Sequence, residues 1–105
     1  MKKGFFILEV EQIVEENIQN TSLSGAFIAE QLGISRMHLH RKLMEYLGLS
    51  ARDYIKEKRI KQAQTLLSES NQPIKNIARQ TGFSSIAYFS KVFKKAVGVP
   101  PSEFK

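Results

Sequence analysis

The chain has no cysteine, which excludes disulfide frameworks, thiolate metal sites and cysteine nucleophiles. Long hydrophobic runs are missing as well. The longest near the start, Phe5 to Leu8 behind Met1-Lys2-Lys3, is too short for a signal peptide and far too short to span a bilayer. There is no glycine-rich phosphate loop, no HExxH and no evident Ser-His-acid set, so no enzyme is expected. No metal or other cofactor is expected either. His38 and His40 stand two apart, point to different sides of a helix and lack an acidic or cysteine partner at ligand spacing. His38 is expected to sit half-packed beside the core. These absences describe a soluble cytoplasmic protein with no membrane contact.

What is present is a chain of one domain's length, 105 residues. Hydrophobic residues make up 42% and charged residues 25%, close to globular averages, which argues against disorder. Lys and Arg number 16 against 10 Asp and Glu, giving a net charge of +6. That charge is unevenly placed. Residues 1–35 hold two Lys and five Glu, net −3, whereas residues 36–105 hold 14 basic and 5 acidic groups, net +9. A basic body behind a mildly acidic first helix suits a polyanionic partner.

The apolar spacing predicts helices throughout and no strand. Phe6, Val10, Ile13, Val14 and Ile18 recur at intervals of three and four, so residues 5–19 read as an amphipathic helix. Ser24 caps a short helix from Gly25 to Leu32, with Gly33 after it. Ser35 caps the next, from Arg36 to Leu47, with Leu39, Leu43 and Leu47 on one stripe and Gly48 as its stop. Ser50 caps a longer helix to about Leu67. Pro73 is expected as the first residue of a helix that ends at Gln80 or Thr81, because its missing N–H costs little there. Ser84 or Ser85 then caps a helix through Phe89, Val92 and Phe93 to Val97, and Pro100-Pro101 opens a last turn carrying Phe104.

The chain also repeats itself. Ile28-Ala29-Glu30-Gln31-Leu32-Gly33-Ile34-Ser35 aligns with Ile77-Ala78-Arg79-Gln80-Thr81-Gly82-Phe83-Ser84 at an offset of 49. One residue is then inserted, and Leu39, Leu43, Leu47 and Gly48 match Phe89, Phe93, Val97 and Gly98 at an offset of 50. Each copy is a short helix, a tight turn at a Gly, an apolar plug, a Ser cap and a longer helix, which is the pattern of a helix-turn-helix. One such copy is common in plain helical domains. Two with matched Ala, Gln, Gly, apolar and Ser positions are far more specific than a ligand-free αα-repeat requires.

The segments IAEQLGISRMHLHRKLMEYLGLSARDYIKEKRIKQAQTLL and IKNIARQTGFSSIAYFSKVFKKAVGVPPSEF resemble the DNA-binding domain of AraC/XylS-type bacterial transcription regulators. The GFSS turn, the YFSKVFKK helix and the GVPPSEF tail are the most characteristic stretches. The resemblance covers residues 23–104 closely and the first helix more loosely. It implies two homeodomain-like helix-turn-helix units, residues 5–49 and 73–104, joined by a linker helix over residues 50–67 within one domain, 1–105. Each recognition helix would enter a major groove on one face of double-stranded DNA. The linker candidate, Ala51 to Leu67, is about 17 residues and so about 25 Å long. With its flanking units that suits recognition helices about one DNA turn, ~34 Å, apart.

Site residues follow from the resemblance and from side-chain chemistry together. Met37, His40 and Arg41 fall where the family makes base contacts. A guanidinium at 41 can pair both acceptors of a guanine edge, an imidazole at 40 can meet a purine N7 or a phosphate, and Met37 can pack on a thymine methyl. On the second recognition helix the groove-facing residues are Ile86, Ala87, Ser90 and Lys91. The family often has polar residues at the first two of these positions. Ile86 and Ala87 offer only apolar contact, so the second half-site is expected to be read less strictly. Tyr88 is assigned either to the DNA backbone or to the core. Phosphate contacts are expected from Ser35, Arg36, Lys75, Ser84, Ser85, Lys94 and Lys95. Arg52, Lys56, Lys58, Arg59 and Lys61 on the linker read mainly as a solvated face.

The expected function is sequence-specific binding of double-stranded DNA, in an activator that stands beside RNA polymerase. A rival of another class is a helical protein-interaction adapter without DNA contact, which would keep its partner after charge reversal at Arg41 and Lys91. Family members usually carry a sensing module, often sugar-binding or a phospho-receiver. This chain has no room for one, and VEQIVEENIQN resembles how the domain begins after a receiver in two-component regulators. The expectation is therefore a C-terminal domain whose effector or receiver domain is absent from this chain.

Overall fold

Ser24, Ser35, Ser50 and Ser85 mark helix starts. Each side-chain oxygen accepts a backbone N–H three residues on, from Phe27 at 3.2 Å, His38 at 3.0 Å, Asp53 at 3.1 Å and Tyr88 at 3.0 Å. Each thereby satisfies a donor that the first helical turn leaves unpaired. The structure, a computed structural model, describes residues 2–104 and is all-α among them. The helices are α1 (Lys3–Glu16), α2 (Gly25–Leu32), α3 (Arg36–Leu47), α4 (Ala51–Glu69), α5 (Ile74–Gln80) and α6 (Ile86–Val97), followed by a 3₁₀ turn at Pro101–Glu103. No helix among the described residues is long and apolar enough to cross a membrane.

Four boundaries differ from the sequence expectation, the first being that α1 begins at Lys3 rather than at residue 5. The first helix ends at Glu16 rather than near residue 19. Asn17 intervenes there: its Nδ2 donates to the Ile13 carbonyl at 2.8 Å and its backbone N–H turns to Val14 at 3.2 Å. An Asn side chain that bonds its own backbone competes with helix continuation. Pro73 is the residue before the helix, not its first residue. Its ψ of 147° is extended, and its carbonyl accepts from Asn76 at 3.0 Å and Ile77 at 3.2 Å to start α5. Finally, α4 runs two residues past Leu67, to Glu69. Ser70 then donates both its N–H and its hydroxyl to the Leu66 carbonyl, at 3.0 and 2.7 Å.

The chain divides into two units, Met1–Lys56 and Glu57–Lys105. The core of the first gathers Phe6, Val10 and Val14 from α1, Ile28 and Ala29 from α2, Leu39 and Leu43 from α3, and Tyr54 and Ile55 from the start of α4. Phe6 meets the Tyr46 ring edge-on at 5.6 Å. The core of the second gathers Ile60, Ala63 and Leu67 from the rest of α4 with Ile77, Ala78, Phe83, Phe89, Val92 and Phe93. Its rings run in series: Phe83 to Phe89 at 5.0 Å, Phe89 to Phe93 at 5.7 Å and Phe93 to Phe104 at 5.4 Å. The linker helix thus supplies core residues to each unit, and its apolar positions are structural in both.

The turn of the repeat is reproduced hydrogen bond for hydrogen bond. Gly33 N–H donates to Glu30 and Ile34 N–H to Ala29, at 3.1 and 3.0 Å. Their counterparts are Gly82 to Arg79 at 3.1 Å and Phe83 to Ala78 at 2.9 Å. Both turns need a left-handed residue, and Gly33 (φ 69°) and Gly82 (φ 86°) supply it without a Cβ penalty. The cap settles where the extra residue falls. Ser85, not Ser84, caps α6, so Ser85 is the counterpart of Ser35 and Ser84 is the insertion. One match is chemically odd. Thr81, opposite Leu32, is fully buried, and its hydroxyl donates back to the carbonyls of Ile77 at 2.7 Å and Ala78 at 3.2 Å. Bonded this way, a polar side chain is tolerated where the first unit has leucine.

Candidate nucleic-acid interface

Inward packing of Leu39 and Leu43 turns the opposite side of α3 to solvent. Met37, His40 and Arg41 are all exposed, as is Arg36 in the first turn. Met37 is 75% exposed, a large apolar side chain standing in water on a helix that buries Leu39 and Leu43. Beside it a cleft of about 430 Å³ is lined by Gly25, Arg36, Met37, Leu39, His40 and Ala51. A Cβ added at Gly25 would come within 3.1 Å of the Ala51 Cβ, so a glycine lets α2 and α4 approach closely at the foot of this cleft. His38 is half-buried, as expected from its position. Lys42 folds away from the exposed stripe. Its Nζ donates to the Tyr46 hydroxyl at 3.2 Å, lies 5.2 Å from that ring's centre and is 4.0 Å from Glu45.

In the second unit Phe89 and Phe93 pack inward and leave Ile86, Ala87 and Lys91 exposed on α6. Ile86 is 48% exposed. Ser90 is half-buried, the least available of the four residues named for this helix. Tyr88 is exposed, and its ring leans on Phe83 at 6.0 Å, so it lies outside the buried core. Lys94 and Lys95 are exposed in the last turn of α6, where their charge also complements the carbonyl end of the helix.

The phosphate candidates separate into two kinds. Ser35 and Ser85 use their side-chain oxygens as helix caps, and each keeps a hydroxyl proton to donate outward. Ser84 is exposed and lies beside Ser85 in a cleft of about 250 Å³ that also contains Lys75, Arg79, Phe83 and Ile86. Arg79 was not singled out by sequence reasoning, although the repeat places it opposite Glu30, a reversal of charge that marks it. The run of basic residues on the linker predicts a solvated face that includes Arg59. Arg59 is instead half-buried, and burial lowers its pKa while nearby Tyr88 pulls the other way. A guanidinium keeps its charge at neutral pH even so. No signal in the linear sequence distinguishes Arg59 from its basic neighbours on α4. Among the described residues no group of three or more His, Cys, Asp and Glu is placed to hold a metal ion.

Comparison with known proteins bears on this geometry. A family described as "Helix-turn-helix domain" matches residues 28–105. The arabinose operon regulatory protein of Escherichia coli K12 is 33% identical over 99 residues, covering 94% of this chain and 34% of that protein. The chain therefore spans about a third of the length of that curated relative. The C-terminal domain of AraT, a response regulator from Geobacillus stearothermophilus, superposes with a TM-score of 0.86 at 32% identity, covering 90% of this chain and 78% of that one. The C-terminal domain of the two-component response regulator yesN from Fusobacterium nucleatum gives 0.85 at 27% identity, covering 90% and 92%.

Proposed function

Since this chain belongs to the AraC-type helix-turn-helix regulators, we propose that it binds double-stranded DNA sequence-specifically and regulates bacterial transcription through two half-sites about 10 base pairs apart. The observation that carries the reading is the exposed side of α3. There Met37, His40 and Arg41 project from a helix whose start is held by the Ser35 cap, while its opposite side is locked into a core. Rigid support of this kind lets a few side chains meet base edges in register. Met37, His40 and Arg41 read one half-site, and Ile86, Ala87, Ser90 and Lys91 approach the other. Ser35, Arg36, Lys75, Ser84, Ser85, Lys94 and Lys95 meet phosphates. The bound chain acts in the cytoplasm as an activator beside RNA polymerase.

The test is a binding series on duplexes changed one base pair at a time, with a duplex selected from a random pool as parent. Arg41→Ala is expected to lose about 1–3 kcal/mol and to relax the preference at one or two base pairs of one half-site. Lys91 is a point charge flanked by Ile86 and Ala87, so Lys91→Ala weakens binding more evenly across sequences. If Arg41→Ala leaves the profile unchanged while Lys91→Ala reshapes it, the main reading role belongs to the second unit. If the chain binds no duplex, the proposal fails.

A further inference from the structure

The two units share one backbone plan but distribute charge in opposite ways. Near the start of the recognition helix, the first unit has Arg36, Met37, His40 and Arg41 where the second has Ile86, Ala87, Ser90 and Lys91. Away from that tip the pattern inverts. On the supporting helix Ala26 and Glu30 are matched by Lys75 and Arg79, and toward the end of the recognition helix Met44 and Glu45 are matched by Lys94 and Lys95. All eight of these flanking side chains are exposed. Four positions that carry two negative charges in one unit therefore carry four positive charges in the other. The structure sharpens the contrast. Lys75 and Arg79 lie one turn apart on α5 and share a cleft with Ser84, Ser85 and Ile86. Glu30, the counterpart of Arg79, is exposed, and Glu45, the counterpart of Lys95, lies 4.0 Å from Lys42.

Charge at the tip of a recognition helix faces base edges, whereas charge on its flanks faces the phosphates that border the groove. We infer that the second unit is a sequence-independent phosphate anchor, in which Lys75 and Arg79 clamp backbone phosphodiester across the α5–α6 cleft, and that base discrimination is concentrated in the first unit. The inference rests on the DNA-binding reading and assigns its two halves different work. Arg79 joins Lys75 as a phosphate ligand. The tip of α6, where Lys91 is the one charge, leaves Ile86 and Ala87 to make shallow apolar contact that tolerates many sequences. Such a chain holds any duplex through one unit and stops at its site through the other.

The experiment measures binding of the full chain to the selected duplex and to a scrambled duplex of equal length and composition, across a series of salt concentrations. Lys75→Ala/Arg79→Ala is expected to weaken both complexes by the same factor, to make the slope of log affinity against log salt shallower by about 2, at ~0.9 per contact, and to leave the base-preference profile as it was. Lys75→Gln/Arg79→Gln, which keeps side-chain length without charge, gives the same result, and circular dichroism melting checks that both variants fold as the parent does. An unchanged salt slope in the folded variants overturns the inference. So does a loss confined to the selected duplex, because that would make the second unit a reader of bases. A parent chain that binds neither duplex overturns the DNA-binding reading itself, an outcome distinct from both.

Discussion

Phe93 carries the second core. It is fully buried, and its ring lies 5.7 Å from Phe89 and 5.4 Å from Phe104, so it ties the last helix to the chain's C-terminal turn. Truncation leaves a cavity that rigid aromatic neighbours fill poorly, and Phe93→Ala is expected to cost about 3–5 kcal/mol. A thermal or urea melt reads this directly, and an unchanged melting curve would mean that α6 presents a different side to the core. Met37 stands at the other extreme. At 75% exposure it contributes little to the core.

At the scale of elements, caps and turns decide what the helices present. The Ser85 hydroxyl accepts from Tyr88 N–H, so α6 begins at Ile86 and its exposed positions are counted from there. Ser85→Ala is expected to cost about 1 kcal/mol, as loss of a cap does, and Ser84→Ala close to nothing. Equal costs in melting experiments would show that the two serines share the cap. The matched turns at Gly33 and Gly82 hold both supporting helices against both recognition helices with the same pair of backbone hydrogen bonds. That equivalence allows the two units to be compared position by position, and it is why the charge inversion around Arg79 is informative.

At the scale of the whole molecule the net charge of +6 conceals a division between a mildly acidic start and a strongly basic remainder. If about 6 phosphates are neutralised on binding, log affinity falls with log salt at a slope near −5, about −0.9 for each contact. A titration between low and moderate salt measures this, and a slope near zero contradicts binding to the DNA backbone. Steering by such a charge also raises the association rate at low salt, so stopped-flow rates should fall as salt is added.

Helix number and type, most of the inward residues outside α5, the repeat and its turns were legible in the sequence, because each depends on local signals: apolar spacing near 3.6, a Ser before a helix, a Gly after it. Leu39, Leu43, Phe89 and Phe93 were readable as core, and Met37, Arg41 and Lys91 as exposed, from the same periodicity. Other features needed the folded chain. Only three-dimensional geometry selects Ser85 over Ser84 as the cap, since both stand at plausible positions in the linear sequence. Burial of Thr81 depends on its bonds to Ile77 and Ala78, the partial burial of Arg59 on its neighbourhood with Tyr88, and the cleft at Lys75 and Arg79 on how α5 meets α6. Periodicity sets which side of a helix is wet. Which charged groups then come to share a cleft depends on contacts between residues distant along the chain, and packing alone brings those together.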